Sequence, residues 1–262
     1  MFKFLILIST LSLTLTLVNG EEKQKLTGLD IIKKVDEANN GFKDTVSEVD
    51  MELKNRHGKV STRSMKVKTL EVENDGDKAL IIFNRPRDIK GTAFLGISHK
   101  VKQDDQWLYL PALKRVKRIS SKNKSGPFLG SEFSYEDISS QEVEKYTKYK
   151  LIKEEKLNGN DMYVISSVPV DKNSGYSKQI AWVHKTEFRV ERIHFYDRKK
   201  VHFKTLNNLE YKKYENKFWR PGIMHMVNLI NGKETKLFWR NYKFFNDFKD
   251  RNFDKNALKR AK

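Results

Sequence analysis

The sequence predicts a mainly β fold: one large antiparallel sheet, curved or partly closed into a barrel. Three observations lead there. From about residue 46 onward, apolar side chains recur with period two, the spacing that puts alternate residues on one face of a sheet. The connections between these runs are short, and Asn158-Gly159 and Asn231-Gly232 are dipeptides favoured by tight hairpin turns. Only one stretch, near the N-terminus, has a clear helical period. Short connections join antiparallel neighbours. A continuous meander of roughly ten strands does not stay flat and curls or closes. No repeat of propeller type is present.

The elements follow in order. Residues 1–20 have the layout of a cleavable secretory signal peptide: Lys3, an apolar stretch from Phe4 to Val18, and small residues Val18 and Gly20 ahead of Glu21-Glu22. The rival reading is a membrane anchor, but the run of about 15 residues is short of the roughly 20 that span a bilayer. Cleavage after Gly20 leaves residues 21–262 as one exported domain. Within it, LTGLDIIKKVDEANNG reads as a helix. Thr27 and Asp30 form a weak capping box, and Leu29, Ile32, Val35 and Ala38 recur at helical spacing beside Ile31, up to a stop at Asn40-Gly41. Val49, Met51 and Leu53 then share one strand face. Met65 and Val67, with Leu70 in doubt, oppose Lys66 and Lys68. Further strand-like runs continue to ETKLFWRNYKFF, with Lys185-Thr186-Glu187 read as a turn.

Residues 120–145 break the pattern. This stretch is rich in Ser, Gly and Lys, then carries Phe128, Leu129, Phe133, Tyr135 and Ile138 without alternation, and Ser131 or Ser134 is placed to cap a short helix. A long loop with five apolar side chains must bury them somewhere. It reads as a lid or plug, or as a cover over one end of the core, and the two are compatible.

Composition narrows the chemistry. The chain has no cysteine, so it has no disulfide, thiolate nucleophile or thiolate metal site, and it cannot itself be a diacylated lipoprotein. The net charge is +18, and Lys3 is the only charge of the signal peptide, leaving +17 on the exported chain. That field favours anionic partners such as phospholipid headgroups or acidic protein faces, and export argues against nucleic acid. The charges are spread through the chain among carboxylates, which is also the pattern of a solvated basic surface. The histidines, His57, His99, His184, His194, His202 and His225, form no ligand motif; His184 and His194 lie on flanking strands and are best read as packing residues. Ser121-Lys122-Asn123-Lys124 matches SxxK by chance in a lysine-rich loop. The acid pairs Asp104-Asp105 and Glu136-Asp137 show no burial that would shift a pKa. No catalytic residue, metal or cofactor is expected.

Large apolar residues at alternate positions remain. Candidate cavity side chains are Phe94, Trp107, Tyr109, Ile180 and Trp182, with Ile193, Phe195, Met224 and Met226. Phe128, Phe133 and Tyr135 are the lid candidates. An ordinary filled core and a hollow lined for an acyl chain predict the same residues, although methionines suit an adaptable pocket. Lys114, Arg115, Lys117 and Arg118 would place charge on both faces of a strand, so that segment is expected at a rim or edge, where it meets anionic headgroups or an acidic partner, or simply blocks aggregation.

Three stretches, IIFNRPRDIKGTAFL (81–95), WLYLPALKRVKRI (107–119) and SGPFLGSEFSYEDI (125–138), resemble the outer membrane lipoprotein-sorting protein family, the LolA-like group of Gram-negative bacteria. The resemblance extends over nearly all of the exported chain. It implies an unclosed antiparallel barrel whose concave apolar side is covered by a few helices. It also implies a monomeric periplasmic carrier, not an enzyme, that shields the acyl chains of lipoproteins or other lipids on the way to an outer-membrane acceptor. Members resembling this subgroup are associated with RND-type (MMPL-like) exporters, so the alternative is an exporter adaptor that carries nothing. Arg85 and Arg87 lie in a motif matching the region of the family's lid arginine, and neither is assigned that role.

Overall fold

The structure is a computed structural model that describes residues 25–260; the expected signal peptide, residues 1–20, lies outside the described residues. Helix α1 (Gly28–Asn39) is followed by β1 (Asp44–Lys54), β2 (Val60–Leu70), β3 (Lys78–Arg85), β4 (Ala93–Ile97), β5 (Asp105–Leu110) and β6 (Arg115–Ile119). After residues 120–145 come β7 (Tyr146–Leu157), β8 (Asn160–Pro169), β9 (Tyr176–His184), β10 (Val190–Asp197) and β11 (His202–Leu209). The chain ends with β12 (Lys212–Tyr214), β13 (Phe218–Arg220), β14 (Ile223–Asn228), β15 (Glu234–Phe244) and α2 (Lys255–Arg260). No described helix is long and apolar enough to cross a membrane.

Thirteen strands form one antiparallel sheet in the order β6-β5-β4-β3-β2-β1-β15-β14-β11-β10-β9-β8-β7, and β12 and β13 form a separate hairpin. The sheet is larger than the roughly ten strands expected, and it is not one meander. Two meanders meet where β1 pairs with β15, and the chain passes from one free edge, β6, to the other, β7, through residues 120–145. The β1–β15 register follows the apolar pattern: Val49 lies opposite Trp239 and Met51 opposite Leu237. A slip of one residue would turn each of these outward.

Local signals were legible. Thr27 and Asp30 form the full capping box of α1, and Asn40 caps its end. Asn158 and Gly159, both with positive φ, make the two-residue turn between β7 and β8. Asn231-Gly232 instead belongs to a five-residue turn, in which the Asn228 side chain accepts from the backbone of Ile230 and Asn231. The buried face of α1 centres on Ile31, which packs with Ile165 and Val183, whereas Leu29 points outward. Gly28 is required there, since a Cβ would come within 2.8 Å of the β7 backbone at Lys150 and Leu151. Leu70 faces away from Met65 and Val67, towards a second cluster.

The main core lies on one face, hereafter the inner face, where Val49, Met51, Met65, Phe83, Phe94, Leu206, Met226 and Leu237 gather. On the outer face α2 and Phe253 cover Leu80, Ile82, Ala93 and Leu95. His194 stacks on His202, with centroids 4.1 Å apart. Trp182 lies on its other side at 4.4 Å, with Arg192 and Glu155 adjacent. Burial, then the charges of His202 and Arg192, lowers the His194 pKa to about 4.

Two predictions follow from this packing. Phe83 is fully buried, so Phe83→Ala should cost about 3–5 kcal/mol, read from urea unfolding midpoints. His194 is held neutral in the fold and is free to protonate near its ordinary value of about 6.5 when unfolded. Between those two pKa values the unfolded chain binds the extra proton, so stability is lost as pH falls through that window. The fall in urea midpoint between pH ~7 and pH ~4.5 should be smaller in His194→Gln.

Candidate functional site: the inner face and its plug

Residues 120–145 fill the inner face. Phe128 and Phe133 are fully buried in the main core. Phe128 packs edge-on against Phe94 (5.4 Å) and Tyr135 (5.5 Å) and tilts against Phe83 (6.1 Å). The segment is a plug without α-helix. It has three 3₁₀ turns, at Ser121–Asn123, at Phe128–Gly130, with Leu129 in the left-handed region, and at Val143–Lys145. Ser134 caps no helix; its backbone N–H and hydroxyl both donate to the Asp137 carboxylate, closing a tight turn. Ser131 donates to the Phe133 carbonyl.

Side chains from across the sheet hold the plug. Arg63 of β2 donates to the Leu129 carbonyl at 2.6 Å, and Gln106 of β5 donates to the Tyr135 carbonyl at 2.8 Å. From the other half, Thr235 of β15 accepts from the Glu132 N–H, Asn228 of β14 donates to the Glu132 carboxylate, and Tyr176 of β9 donates to Asp137. Lys204 of β11 forms an ion pair with Asp137 at 2.8 Å, with both side chains more than nine-tenths buried. Its ammonium also lies over the rings of Tyr176 and Phe195. One segment touches strands from both halves, so the sheet curves around it and the inner face is concave. The plug's one isolated bridge joins Pro127 to its own Ser134.

Glu136 and Asp137 are thus enclosed, contrary to the sequence reading. Burial pushes the Glu136 carboxyl upward, and the Ser174 hydroxyl and Gly175 N–H bonds oppose that shift. Their contacts are those of a structural latch. Asp104 pairs with Lys145 and Asp105 with Arg118. Among the described residues no three His, Asp or Glu side chains converge as a metal site requires.

The structure sorts the candidate residues by face. Phe94, Phe195 and Met226 are buried on the inner face, and Ile193 and Met224 are half-buried against the same cluster. Phe128, Phe133 and Tyr135 belong to the plug. Trp107 and Tyr109 lie on the outer face under α2, in register with Leu95 and Ala93. Ile180 and Trp182 are also outside, packed with Met162 and Val164, and the Trp182 indole donates to Glu155. Lys114 follows the turn before β6, and Arg115, Lys117 and Arg118 lie exposed on β6, a free edge of the sheet. Neither Arg85 nor Arg87 bonds the plug; the arginine that does is Arg63, not singled out from the sequence, although period two from Met65 puts it on the same face.

Two spaces adjoin these residues. A pocket of about 260 Å³ lies between the plug and the sheet end, lined by Arg63, Ile89, Thr92, Leu110, Ala112 and Leu129. An open groove of about 1160 Å³ includes Asp50, Glu52, Ser64, Arg85 and Arg240, whose positions in the register are outer ones, together with Arg63 and Trp239 from inner positions. Charges of both signs line it, and Arg240 pairs with Asp50, so it is unsuited to an acyl chain. Asn208 lies opposite Met224 in the register, and Trp239 is two residues along β15 from Leu237, the other partner of Met224; the Asn208 amide oxygen and Trp239 indole N–H are enclosed without a protein partner.

Comparisons with known proteins agree with this architecture. A family model described as "Uncharacterized protein" matches residues 75–260. No curated protein matches the chain. A solved structure of an outer membrane lipoprotein-sorting protein domain from Vibrio parahaemolyticus is 51% identical, with TM-score 0.87, covering 88% of this chain and 98% of that one. A DUF1329 family protein from Desulfovibrio piger is 33% identical, with TM-score 0.84, covering 88% of this chain and 97% of that one. A LolA superfamily protein from Nitrosomonas europaea shares the fold at 21% identity and TM-score 0.72, covering 89% of this chain and all of that one. At 51% and 33% identity over 88% of its length, the chain belongs to the family of the outer membrane lipoprotein-sorting protein domain and the DUF1329 protein, and it shares the fold of the LolA superfamily protein.

Proposed function

We propose that the protein is a periplasmic carrier that shields acyl chains of lipoproteins or other lipids on the inner face of its sheet, with residues 120–145 as the displaceable cover. One observation carries this reading. The plug supplies apolar side chains to the core yet is held to the sheet by side-chain bonds and not by a strand ladder, so it can leave with the sheet's backbone pairing intact. The resting pocket of about 260 Å³ is below the roughly 300–1,000 Å³ of ordinary ligand sites, so a full lipid requires displacement of the plug. The energies are compatible. Exposing Phe128 and Phe133 costs about 1.5–3 kcal/mol each, and an acyl chain recovers about 0.8 kcal/mol for each methylene buried in their place. About ten methylenes are therefore enough to offset both rings. Asn208 and Trp239 offer unpaired polar atoms beside Met224 for the polar end of the cargo. The reading requires no reaction and no cofactor, and it leaves the acceptor or exporter partner open.

The decisive experiment is native mass spectrometry of protein purified from its own cell envelope, followed by lipid extraction. A bound lipid or acylated peptide is the expected result. An empty protein that also takes up no fluorescent fatty acid would sink the carrier reading and favour the non-carrying exporter adaptor.

Four variants test the site itself. Met224→Ser should reduce fatty-acid uptake severalfold while Trp182→Ser, on the outer face, leaves it unchanged; equal effects would show that the inner face is ordinary core. Removing one partner of a buried ion pair costs about 3–5 kcal/mol, so Lys204→Met should loosen the plug. Faster uptake and new proteolysis within residues 120–145 are expected, with partial reversal in the Lys204→Met/Asp137→Asn double variant.

A further inference from the structure

One end of the curved sheet is built differently from the other. The antiparallel order brings six connections to the same end: 55–59, 86–92, 111–114, 170–175, 198–201 and 229–233. Five of them carry or adjoin an exposed aliphatic side chain. Val60, Leu113, Val170, Val201, Leu229 and Ile230 are 46–69% exposed and make up six of the eleven exposed large apolar residues among the described residues. The sixth, 86–92, carries Ile89 in the wall of the 260 Å³ pocket.

Each of these turns is also basic. Arg56 and Lys59 flank Val60, Lys114 follows Leu113, and Lys199-Lys200 precede Val201. Lys233 closes the Leu229-Ile230 turn, Lys172 follows Val170, and Arg87 and Lys90 flank Ile89. The acids within these six turns are Asp88 and Asp171, and Asp171 is paired with Lys124. At the opposite end, connections 71–77, 98–104, 158–159, 185–189 and 210–222 carry eight lysines and arginines against eight acids, so their charges balance, although Val101 is an exposed aliphatic there between Lys100 and Lys102. Scattered exposed aliphatics are ordinary. Aliphatics placed one turn after another around a rim, each beside a cation, match a surface that is apolar within and anionic at its boundary.

We infer that this turn-bearing rim docks on an anionic phospholipid bilayer, with Leu113, Leu229 and Ile230 entering the interface and the lysines and arginines on the phosphates. The 260 Å³ pocket and Leu129 of the plug lie at this same end, so docking would turn the edge of the plug towards lipid. This goes beyond the carrier reading and stands or falls independently of whether the inner face holds an acyl chain.

The chain has no cysteine, so Ile230→Cys and, at the opposite end, Val101→Cys each accept a single environment-sensitive fluorophore. The exported, processed protein would be mixed with phosphatidylcholine vesicles, either pure or containing about 30% phosphatidylglycerol. The label at 230 should shift to the blue with the anionic vesicles alone, while the label at 101 does not. Co-sedimentation with the same vesicles should fall at least about fivefold in Leu113→Ser/Leu229→Ser/Ile230→Ser and in Lys199→Glu/Lys200→Glu, and should weaken as salt is raised. All these positions are exposed, and circular dichroism verifies that the variants fold. Absence of a shift at 230, equal shifts at both labels, equal binding to neutral vesicles, or serine variants that sediment unchanged would each overturn the proposal.

Discussion

An open sheet has two edges, and the chain must pass from one to the other. That constraint organises the molecule. The first six strands run outward from the centre to β6, and the remaining strands of the sheet run inward from β7 to close against β1. The crossing between the two edges is made by residues 120–145, and the shortest route is over the concave face. A barrel that closed on itself would need no such crossing. Here the same segment joins the halves, fills the apolar interior and determines how much space remains beside it.

The balance of forces in that crossing explains its composition. A purely apolar strap would collapse onto the inner face and stay there. The strap instead alternates buried rings with polar groups that meet polar partners on the sheet, and the Lys204–Asp137 pair is the most deeply buried of these. Buried pairs contribute less to net stability than their geometry suggests, because desolvation cancels much of the attraction. Their effect is to specify one position: Asp137 satisfied by Ser134, Tyr176 and Lys204 has no equivalent partner set elsewhere along the segment. A cover built this way is placed by polar contacts as much as by its buried rings, as the proposed carrier role requires.

The outer face follows another logic. α2 covers Trp107 and Tyr109, while Trp182, buried with Met162 and Val164, packs against His194, which stacks on His202, and the charged groove around Asp50 and Arg240 stays open. Large rings on both faces stiffen a broad sheet, so aromatic content alone did not mark an interior. The comparisons with solved relatives place the whole arrangement in a lipoprotein-sorting family, and the asymmetry between faces and between ends is where this chain's own behaviour is written.

Local information was legible in the sequence because its cause is local. The capping box at Thr27, the Asn158-Gly159 turn, the inward row of Val49 and Met51, and the edge character of β6 all follow from neighbouring residues or from a period of two. Alternation also shows that Trp107 and Tyr109 share a face, as do Ile180 and Trp182. It does not show which face, because a strand's two sides are told apart by what packs against them, and α2 lies well over a hundred residues downstream of β5. The junction of β1 with β15, the role of Arg63 and the burial of Glu136-Asp137 depend in the same way on partners remote in sequence. The sequence by itself determined the strands, the turns and an apolar segment that had to be buried. Only the tertiary structure decided which side is inside, because that choice belongs to contacts between residues the chain brings together from far apart.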